Sequence, residues 1–295
     1  MVNYNSAGFI GEFLDSITHV DYHNRHLIIV DAGSHDGSAA EIARRCPDAH
    51  IIHCEENVGI AAGNNIGAAY CRKERFDYIL FLNDDTSHQP DFLRLLVEAA
   101  DDRTLVVPRI LYAEDPRLIS THVGDFDWNW GRFRNTHHGK PDGPATRRRR
   151  EVQTASFCCM LVPTEAFAEM GTLDERFFMY YEETDLLRRA AEQGFRQLYV
   201  PEAVVYHRES GSSGGGWMTP FKYYYATRNR PYLMRKHLTS QWRYARFTLY
   251  FWVTRAAFAV RYALSGQGAM LKALLLGVLH YYQGRMGRTL EVHDF

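Results

Sequence analysis

Residues 1–100 alternate short, unbroken apolar runs with segments whose apolar residues recur every three to four positions. Unbroken runs predict strands buried on both faces, and the three-to-four spacing predicts helices. The predicted strands are 2–5, 27–30, 51–52 and 78–82, and the predicted helices are 6–17, 41–45, one ending near Lys73, and 91–100. This alternation is typical of an α/β fold with a mainly parallel sheet and helices on both faces.

The pattern changes twice further along the chain. Residues 112–150 are irregular and rich in Asp, His, Gly, Pro and Arg, which predicts a long excursion over the site. Strands are predicted at 104–111, 155–162, 198–201 and 203–207, and helices at 164–170 and 186–193. A glycine-serine loop at 210–216 then separates a domain over 1–216 from a helical extension over 217–295.

The extension contains three predicted helices, 221–237, 241–264 and 270–282, which are rich in Tyr, Trp, Phe and Arg. Two interpretations stay open: the helices pack on the domain, or they form a basic, aromatic surface on a membrane interface. No apolar run is long enough to predict a transmembrane helix, and the first residues do not resemble a signal peptide. We therefore expect a cytoplasmic protein, either free or peripheral on the inner face of the membrane.

The net charge of −1 gives no electrostatic case for nucleic-acid binding. The candidate chemistry begins at Asp84 and Asp85, which directly follow the apolar run 78–82. Ligands of open α/β sheets bind at strand ends, and two adjacent carboxylates repel each other unless a cation lies between them. The sequence predicts either a divalent metal there or a turn in which Asn83 and Asp84 cap the next helix.

Four motifs add a resemblance that covers nearly the whole chain. They are VNYN at 2–5, VDAGSHDGS at 30–38, LNDDT at 82–86 and YYEETDLLRR at 180–189. In this order they resemble an inverting family 2 glycosyltransferase of the GT-A (Rossmann-like) fold, and within it the rhamnosyltransferase-like enzymes of cell-surface polysaccharide synthesis. The resemblance implies a nucleotide-sugar half over about 1–100 and an acceptor half over about 101–216.

The resemblance also implies the reaction and its partners. A sugar moves from a nucleotide sugar, such as dTDP-rhamnose or a UDP- or GDP-sugar, to a hydroxyl of a saccharide or lipid-linked acceptor. Mg²⁺ or Mn²⁺ would neutralise the leaving diphosphate, because hard cations prefer oxygen ligands. A homodimer is a further expectation.

The metal site and donor site follow from the same motifs. Asp85 matches the metal carboxylate, His207 matches the histidine that completes the metal site, and Asp84 would face the ribose or a water. Asp31 matches the acid that helps hold the nucleoside, but Ala32 follows it where the family usually has Asn or Asp. An alanine side chain makes no hydrogen bond to a base, so this departure leaves base selectivity open.

The remaining predicted donor-binding residues lie in three segments. They are Asn3, Tyr4 and Asn5 in the first motif, Asn57, Gly59 and Asn65 in the segment ENVGIAAGNNIGAA, and Arg228 in TRNRP. Asn57 and Asn65 have an alternative interpretation as turn-forming and helix-capping residues. The guanidinium of Arg228 could meet a pyrophosphate or a lipid phosphate.

The catalytic residues are expected about a hundred positions after the metal site. Glu183 falls on the position of the family's general base, as Glu where Asp is commoner, and Glu182 is the second candidate. Asp185 is expected to cap the helix or anchor the loop. The alternative for all three acids is a solvated first helical turn, which the helix dipole favours.

Two other functions stay open at this point. A nucleotidyltransferase also uses acids and a metal on an α/β sheet, but VNYNSAGF does not resemble the phosphate loop that such enzymes need. A catalytically weak carbohydrate-binding or scaffold subunit is supported by the short first strand and by Ala32.

Overall fold

The structure is a computed structural model that describes residues 1–121, 123–208 and 218–295. The predicted glycine-serine loop 210–216 and the domain boundary after residue 216 lie outside the described residues. Within the described part, helices and strands alternate through the first half and three long helices close the chain. The expected mixed α/β architecture with a C-terminal helical region is confirmed.

The strands are β1 (Val2–Asn3), β2 (Ile28–Asp31), β3 (His50–His53), β4 (Tyr78–Leu82), β5 (Thr86–His88), β6 (Thr104–Tyr112), β7 (Asp125–Asp127), β8 (Arg132–Arg134), β9 (Arg150–Glu151), β10 (Cys159–Pro163) and β11 (Arg196–His207). The helices are α1 (Ile10–Thr18), α2 (Ser38–Arg45), α3 (Gly59–Lys73), α4 (Phe92–Glu98), α5 (Thr164–Glu169), α6 (Glu182–Glu192), α7 (Pro220–His237), α8 (Gln241–Leu264) and α9 (Gly268–Tyr282).

The first sheet has the order β1-β2-β3 and is parallel throughout. Its register sets Asn3 beside Asp31, so the ends of β1 and β2 bring the first two motifs together. The apolar face of α1, with Ile10, Phe13 and Leu14, is buried against the domain. Sequence spacing predicted this helix from residue 6, but residues 6–9 form turns before it.

The second sheet has the order β4-β10-β6-β11-β5, and β9 also pairs with β11. Its described strands pair in parallel at β6–β11 and antiparallel elsewhere, which makes the sheet more mixed than the sequence predicted. The separate strands expected at 198–201 and 203–207 are one strand, β11, with an irregularity between Val200 and Val204. β5 was not predicted, and it sets His207 directly opposite Thr86.

A cavity of about 330 Å³ separates the two sheets. It is lined on one side by Ile28 and Val30 of β2, and on the other by Leu80 and Leu82 of β4. β1 is only two residues long and pairs with β2, so it does not fill the space between β2 and β4. No pair of hydrogen-bonded strands therefore joins the two sheets within the described residues.

The C-terminal helices pack on the domain through an aromatic core. Their inner faces bury Tyr224 and Tyr225 of α7, Phe247 and Phe251 of α8, and Leu274 of α9. These side chains meet Phe177 and Phe178, which precede α6, so the extension covers the segment that leads into the predicted catalytic acids. No helix in the described part of the chain is both long and apolar enough to span a bilayer.

Candidate active site

Asp84 and Asp85 lie in the turn between β4 and β5, at the end of a strand with a largely buried apolar run. The backbone of this turn is held on both sides. The Asn83 amide donates to the Cys158 carbonyl at 2.9 Å, and the Arg208 amide donates to the Asp85 carbonyl at 3.0 Å. The second bond ties the turn to the end of β11, where His207 lies.

Asp85 and His207 meet at this strand end. Asp85 Oδ1 is buried and lies 3.1 Å from His207 Nε2, the distance of an ion pair when the imidazole is protonated. His207 Nδ1 lies 3.2 Å from the Ser120 hydroxyl, which orients the ring. A histidine held at Nδ1 directs Nε2 toward its partner, as metal-binding histidines do.

The pKa values of the two neighbouring carboxyl groups, Asp84 and Asp85, shift in opposite directions. Burial, followed by the charge of Asp85, raises the pKa of Asp84 to about 8. Burial also acts to raise the pKa of Asp85, but the charge and hydrogen-bonding geometry of His207 outweigh it and hold that pKa below its usual value. The positive charge of Lys222 in α7 also lowers the pKa of Asp85, so this side chain lies near the turn.

The residues at this turn fit a divalent cation with few protein ligands. A buried carboxylate oxygen of Asp85 lies 3.1 Å from an imidazole nitrogen of His207, whose other nitrogen contacts Ser120. In the described residues no group of three or more His, Cys, Asp or Glu side chains forms a metal cluster. Mg²⁺-type sites in nucleotide enzymes often use one or two protein ligands, with water and substrate phosphate supplying the rest.

The first motif and the Asp31 loop form one hydrogen-bonded unit. The Asn3 side chain is fully buried and donates to Asp31 Oδ1 at 2.7 Å and to the Ser34 and Ser38 hydroxyls at 3.0 and 3.1 Å. These contacts assign Asn3 to holding the loop. Tyr4 is half-buried. Asn5 is exposed at the edge of the Asp31 loop, and its Oδ1 accepts a hydrogen bond from the His35 amide.

The two asparagines of the third segment make structural contacts, and only Asn57 has the turn-forming role of the alternative interpretation, since Asn65 lies inside α3. Asn57 Oδ1 accepts from the Gly59 amide at 2.9 Å, which forms a turn before α3. Asn65 bonds to the amide and carbonyl of Leu173, each at 2.9 Å, so the donor-binding expectation for Asn65 is corrected to a structural link.

Gly59 is required by packing. It has a φ of +81°, and a Cβ there would lie 2.4 Å from the Phe178 ring. The Phe178 carbonyl also accepts from the Ile60 amide at 3.1 Å. The start of α3 is therefore in direct contact with the segment that leads to the predicted catalytic acids.

Glu182 and Glu183 begin α6, four positions earlier than the sequence predicted for this helix. Glu182 is buried and Glu183 half-buried, and Oε2 of each has no hydrogen-bond partner in the described part of the chain. Burial, followed by the charge of Glu183, raises the pKa of Glu182 well above its usual value. Burial raises the pKa of Glu183 to about 7. The pair is therefore no solvated helix end, and its carboxyl groups lie close enough to share a proton.

The backbone before α6 is strained. Phe178, Tyr180 and Tyr181 have φ of 65°, 66° and 74°, in the left-handed region that bulky residues rarely adopt. The Asn229 side chain of α7 holds this loop by donating to the carbonyls of Phe177, Met179 and Tyr180 at 2.9, 2.7 and 3.1 Å. Asn229 was not predicted as a site residue, although TRNRP was noted in the sequence.

Arg228 requires a correction. Its side chain is fully buried, and its guanidinium donates to the carbonyls of Gly287 and Phe177 at 2.7 and 2.9 Å and to the Thr289 hydroxyl at 2.9 Å. A guanidinium occupied by these protein acceptors does not face a donor phosphate. Arg228 instead joins the end of the chain to the strained loop.

Asp185 was expected to cap the helix or anchor the loop, but its contacts join α6 to α7. It is fully buried and accepts from His237 Nε2 at 2.8 Å, from Lys236 Nζ at 2.9 Å and from Arg189 Nε at 3.0 Å. These groups outweigh the effect of burial and lower the pKa of Asp185. The carboxylate thus fixes α6 against the end of α7.

Helix α7 connects the two acid sites. Lys222 in its first turn acts on Asp85, and Asn229 holds the loop before Glu182. Seven residues of helix separate them, which is about 10 Å at 1.5 Å per residue. Helix α7 thus brings one cationic side chain near the strand-end turn and holds the loop that leads to the carboxylate pair.

The family follows from comparison with known proteins. Residues 1–171 match the family model described as glycosyl transferase family 2, which covers more than half of the chain. The chain belongs to glycosyl transferase family 2. The expected enzyme class, a glycosyltransferase, is thereby confirmed.

Curated relatives of this family 2 glycosyltransferase include rhamnosyltransferases. The chain is 26% identical over 237 residues to an N-acetylglucosaminyl-diphospho-decaprenol L-rhamnosyltransferase of Mycobacterium tuberculosis, covering 72% of this chain and 76% of that protein. It is 22% identical over 227 residues to the dTDP-rhamnosyl transferase RfbF of Shigella flexneri, covering 75% and 74%. The expected resemblance to rhamnosyltransferases is confirmed.

Solved structures of GT-A glycosyltransferases share the fold. S. aureus TarS 1–349 in complex with UDP-GlcNAc aligns with a TM-score of 0.55 at 13% identity, covering 92% of this chain and 77% of that one. GalNAc-T7 with UDP, GalNAc and Mn²⁺ aligns with a TM-score of 0.55 at 16% identity, covering 77% of this chain, which spans 46% of that one. The GT-A expectation is confirmed.

Proposed function

We propose that this glycosyltransferase is metal-dependent and inverting, and that it moves a sugar, rhamnose in the first instance, from a nucleoside diphosphate to an acceptor hydroxyl. The acceptor is a saccharide, free or lipid-linked, in cell-surface polysaccharide synthesis at the inner face of the membrane. The observation that carries the proposal is the Glu182–Glu183 pair with raised pKa, on a loop held by the same helix α7 whose Lys222 acts on Asp85. The rhamnosyltransferase relatives support the sugar.

Glu183 is the general base of the proposed reaction. A base works best when its pKa lies near the operating pH, and burial raises the pKa of Glu183 to about 7. The acceptor O–H donates its proton to this carboxylate while the oxygen attacks the sugar carbon from the face opposite the diphosphate. Glu182 stays protonated beside it, because its pKa is raised further by burial and by the charge of Glu183.

Asp85 and His207 would hold the divalent cation, and Asp84 would lie beside the donor. When bound, the cation would supply charge neutralisation for the departing diphosphate. Lys222 adds a fixed positive charge on the same side. Asp31 would hold the nucleoside, and its hydrogen bond from Asn3 fixes the loop that follows β2.

Thermal unfolding with a panel of nucleotide sugars tests the donor and metal site. We expect dTDP-rhamnose with Mn²⁺ to raise the melting temperature by about 5 °C at a hundredfold excess over its dissociation constant, since bound ligand stabilises the folded state. Asp85→Asn should remove the Mn²⁺-dependent part of that shift, because it removes the charge that faces the cation.

Asp48→Asn is the matched control, since Asp48 is exposed in the turn before β3 and far from the strand-end turn in sequence. It should leave the shift unchanged. A full shift in Asp85→Asn, or a shift that Mn²⁺ does not affect, would contradict the metal assignment. A panel in which another nucleotide sugar stabilises and dTDP-rhamnose does not would contradict the proposed donor.

A further inference from the structure

The outward side of α8 carries an apolar stripe that exposed Arg246 interrupts near its start. Trp242, Leu249, Val253, Val260 and Leu264 are 59–85% exposed. They follow one another at intervals of seven and four residues, which places them on one face of the helix. The stripe runs for about 33 Å at 1.5 Å per residue.

Helix α9 widens this stripe into a surface. Leu275, Leu279 and Tyr282 are exposed on α9, again at helical spacing. Trp252 of α8 stacks on Tyr282 with ring centroids 5.7 Å apart, and its indole N–H donates to the Tyr282 hydroxyl at 3.0 Å. We call the exposed apolar side chains of the two helices the outer face. Contiguous exposed apolar surface of this kind marks an interaction site.

The charged side chains of α8 and α9 are all basic, while the acids Glu291 and Asp294 follow in the C-terminal segment, whose Asp294 carbonyl accepts from Lys272 Nζ at 2.7 Å. From Met218 to Leu290 the sequence contains no Asp or Glu. Arg243, Arg246 and Arg261 of α8 and Lys272 of α9 are exposed. Arg243 and Arg246 lean toward Asn129 at one end of the stripe, and Arg261 lies near the other end. A positive rim around an apolar and aromatic centre is complementary to an anionic lipid surface.

A second copy of this chain fits the outer face less well. A two-fold dimer brings the same surface of both subunits together, so each basic residue would face basic residues of its partner. With no acid between Met218 and Leu290 to pair with them, these charges would repel each other. An anionic bilayer supplies both the missing negative charge and an apolar layer.

We propose that the outer face of α8 and α9 binds an anionic bilayer and lies parallel to it. Trp242, Trp252 and Tyr282 occupy the headgroup boundary, and the arginine and lysine side chains reach lipid phosphates. This inference deepens the proposed function, because it brings the enzyme to the surface where a lipid-linked acceptor resides, but the binding itself needs neither donor nor metal.

Co-sedimentation of the full chain with vesicles tests the proposal. Vesicles of phosphatidylcholine are compared with vesicles that contain roughly one-third phosphatidylglycerol, at low and physiological salt, since anionic lipid supplies the surface potential. We expect strong binding to the anionic vesicles that falls as salt rises. Arg261→Glu should weaken binding at least about fivefold, since each basic residue near an anionic surface contributes about 1 kcal/mol. The triple change Leu249→Gln, Val253→Gln and Val260→Gln should abolish it.

Arg132→Glu is the matched control, because Arg132 is exposed on β8 outside the helical extension. It should bind vesicles like the natural chain. Donor-dependent thermal stabilisation, measured on every variant, shows that each one is folded and separates loss of membrane binding from failure of the proposed transferase function. Equal binding to both vesicle types would overturn the proposal. So would a dimer in sedimentation velocity that the triple change converts to monomer without affecting vesicle binding.

Discussion

Replacing Glu183 by Gln should lower kcat at least about 100-fold while donor binding with Mn²⁺ stays within about a factor of two. A positioned general base contributes about 10²–10⁴-fold, and an amide cannot accept the acceptor proton in this role. Glutamine keeps the size of the side chain at the start of α6, so the change removes the base without removing the packing. Radiolabelled sugar transfer to acceptor and the thermal shift with donor provide the two measurements.

The same substitution should stabilise the protein above neutral pH. Burial raises the pKa of Glu183 from 4.5 to about 7, so between these values the folded state binds more protons than the unfolded state. Stability of the natural chain therefore falls as pH rises through this window. The amide that replaces the carboxyl carries no charge to bury, so the variant should be more stable at about pH 8, by on the order of 3 kcal/mol at about 1.36 kcal/mol per pKa unit.

Glu192→Gln is the matched control for both effects, because Glu192 is exposed at the far end of α6. It should change neither kcat nor the pH dependence of stability. Transfer by the Glu183→Gln variant at the natural rate would contradict the base assignment, and Glu182 would then be the candidate to test. If the natural chain and the Glu183→Gln variant lost the same stability between acidic and mildly alkaline pH, the raised pKa of Glu183 would be contradicted.

Asn229→Ala should lower kcat at least about tenfold and destabilise the fold by about 2–3 kcal/mol. The substitution leaves three carbonyls of the strained loop without their donor, and each lost bond costs about 1 kcal/mol or more when its partner is buried. Left-handed backbone at bulky residues costs about 1–3 kcal/mol each, so the loop should relax once Asn229 no longer holds it. Glu182 and Glu183 would then lose their orientation.

Steady-state kinetics separates this positioning role from a general loss of folding. We expect kcat to fall with little change in the KM for donor at a temperature where the variant is folded, since Asp31 and Asp85 are held by other contacts. Asn24→Ala, at an exposed position before β2, should change neither kcat nor stability. An Asn229→Ala variant with natural kcat would show that the loop keeps its conformation unaided.

Local patterns predicted the elements that carry the site. The unbroken run 78–82 correctly predicted a buried strand that ends at two acids, and the apolar spacing of 221–237, 241–264 and 270–282 matches α7, α8 and α9 closely. These signals are encoded within a few residues of each other. The alternative of a solvated helix end fails for Glu182, which is buried, because the extension packs on the segment just before it, and no pattern near residue 182 encodes that packing.

The features that the sequence patterns did not predict depend on contacts between segments that are far apart in the chain. The pairing of β5 with β11 sets His207 opposite Thr86, and it joins positions more than a hundred residues apart. Arg228 looks the same in sequence whether it meets a phosphate or a backbone carbonyl, and only packing brings the carbonyls of Phe177 and Gly287 to it. Asn65 and Asn229 were missed as structural links for the same reason.

Gly277 of α9 lies against α7 so closely that a Cβ there would be 2.9 Å from the Tyr224 carbonyl oxygen. Helix α7 is thus fixed to the outer face on one side and to the loop before Glu182 on the other. If the outer face binds a bilayer as proposed, the proposed catalytic carboxylates lie at a fixed distance from that bilayer, and the enzyme selects acceptors by the length of their headgroups. Transfer to lipid-linked acceptors of increasing headgroup length should then pass through a maximum, whereas a flat response would show that height is not sensed.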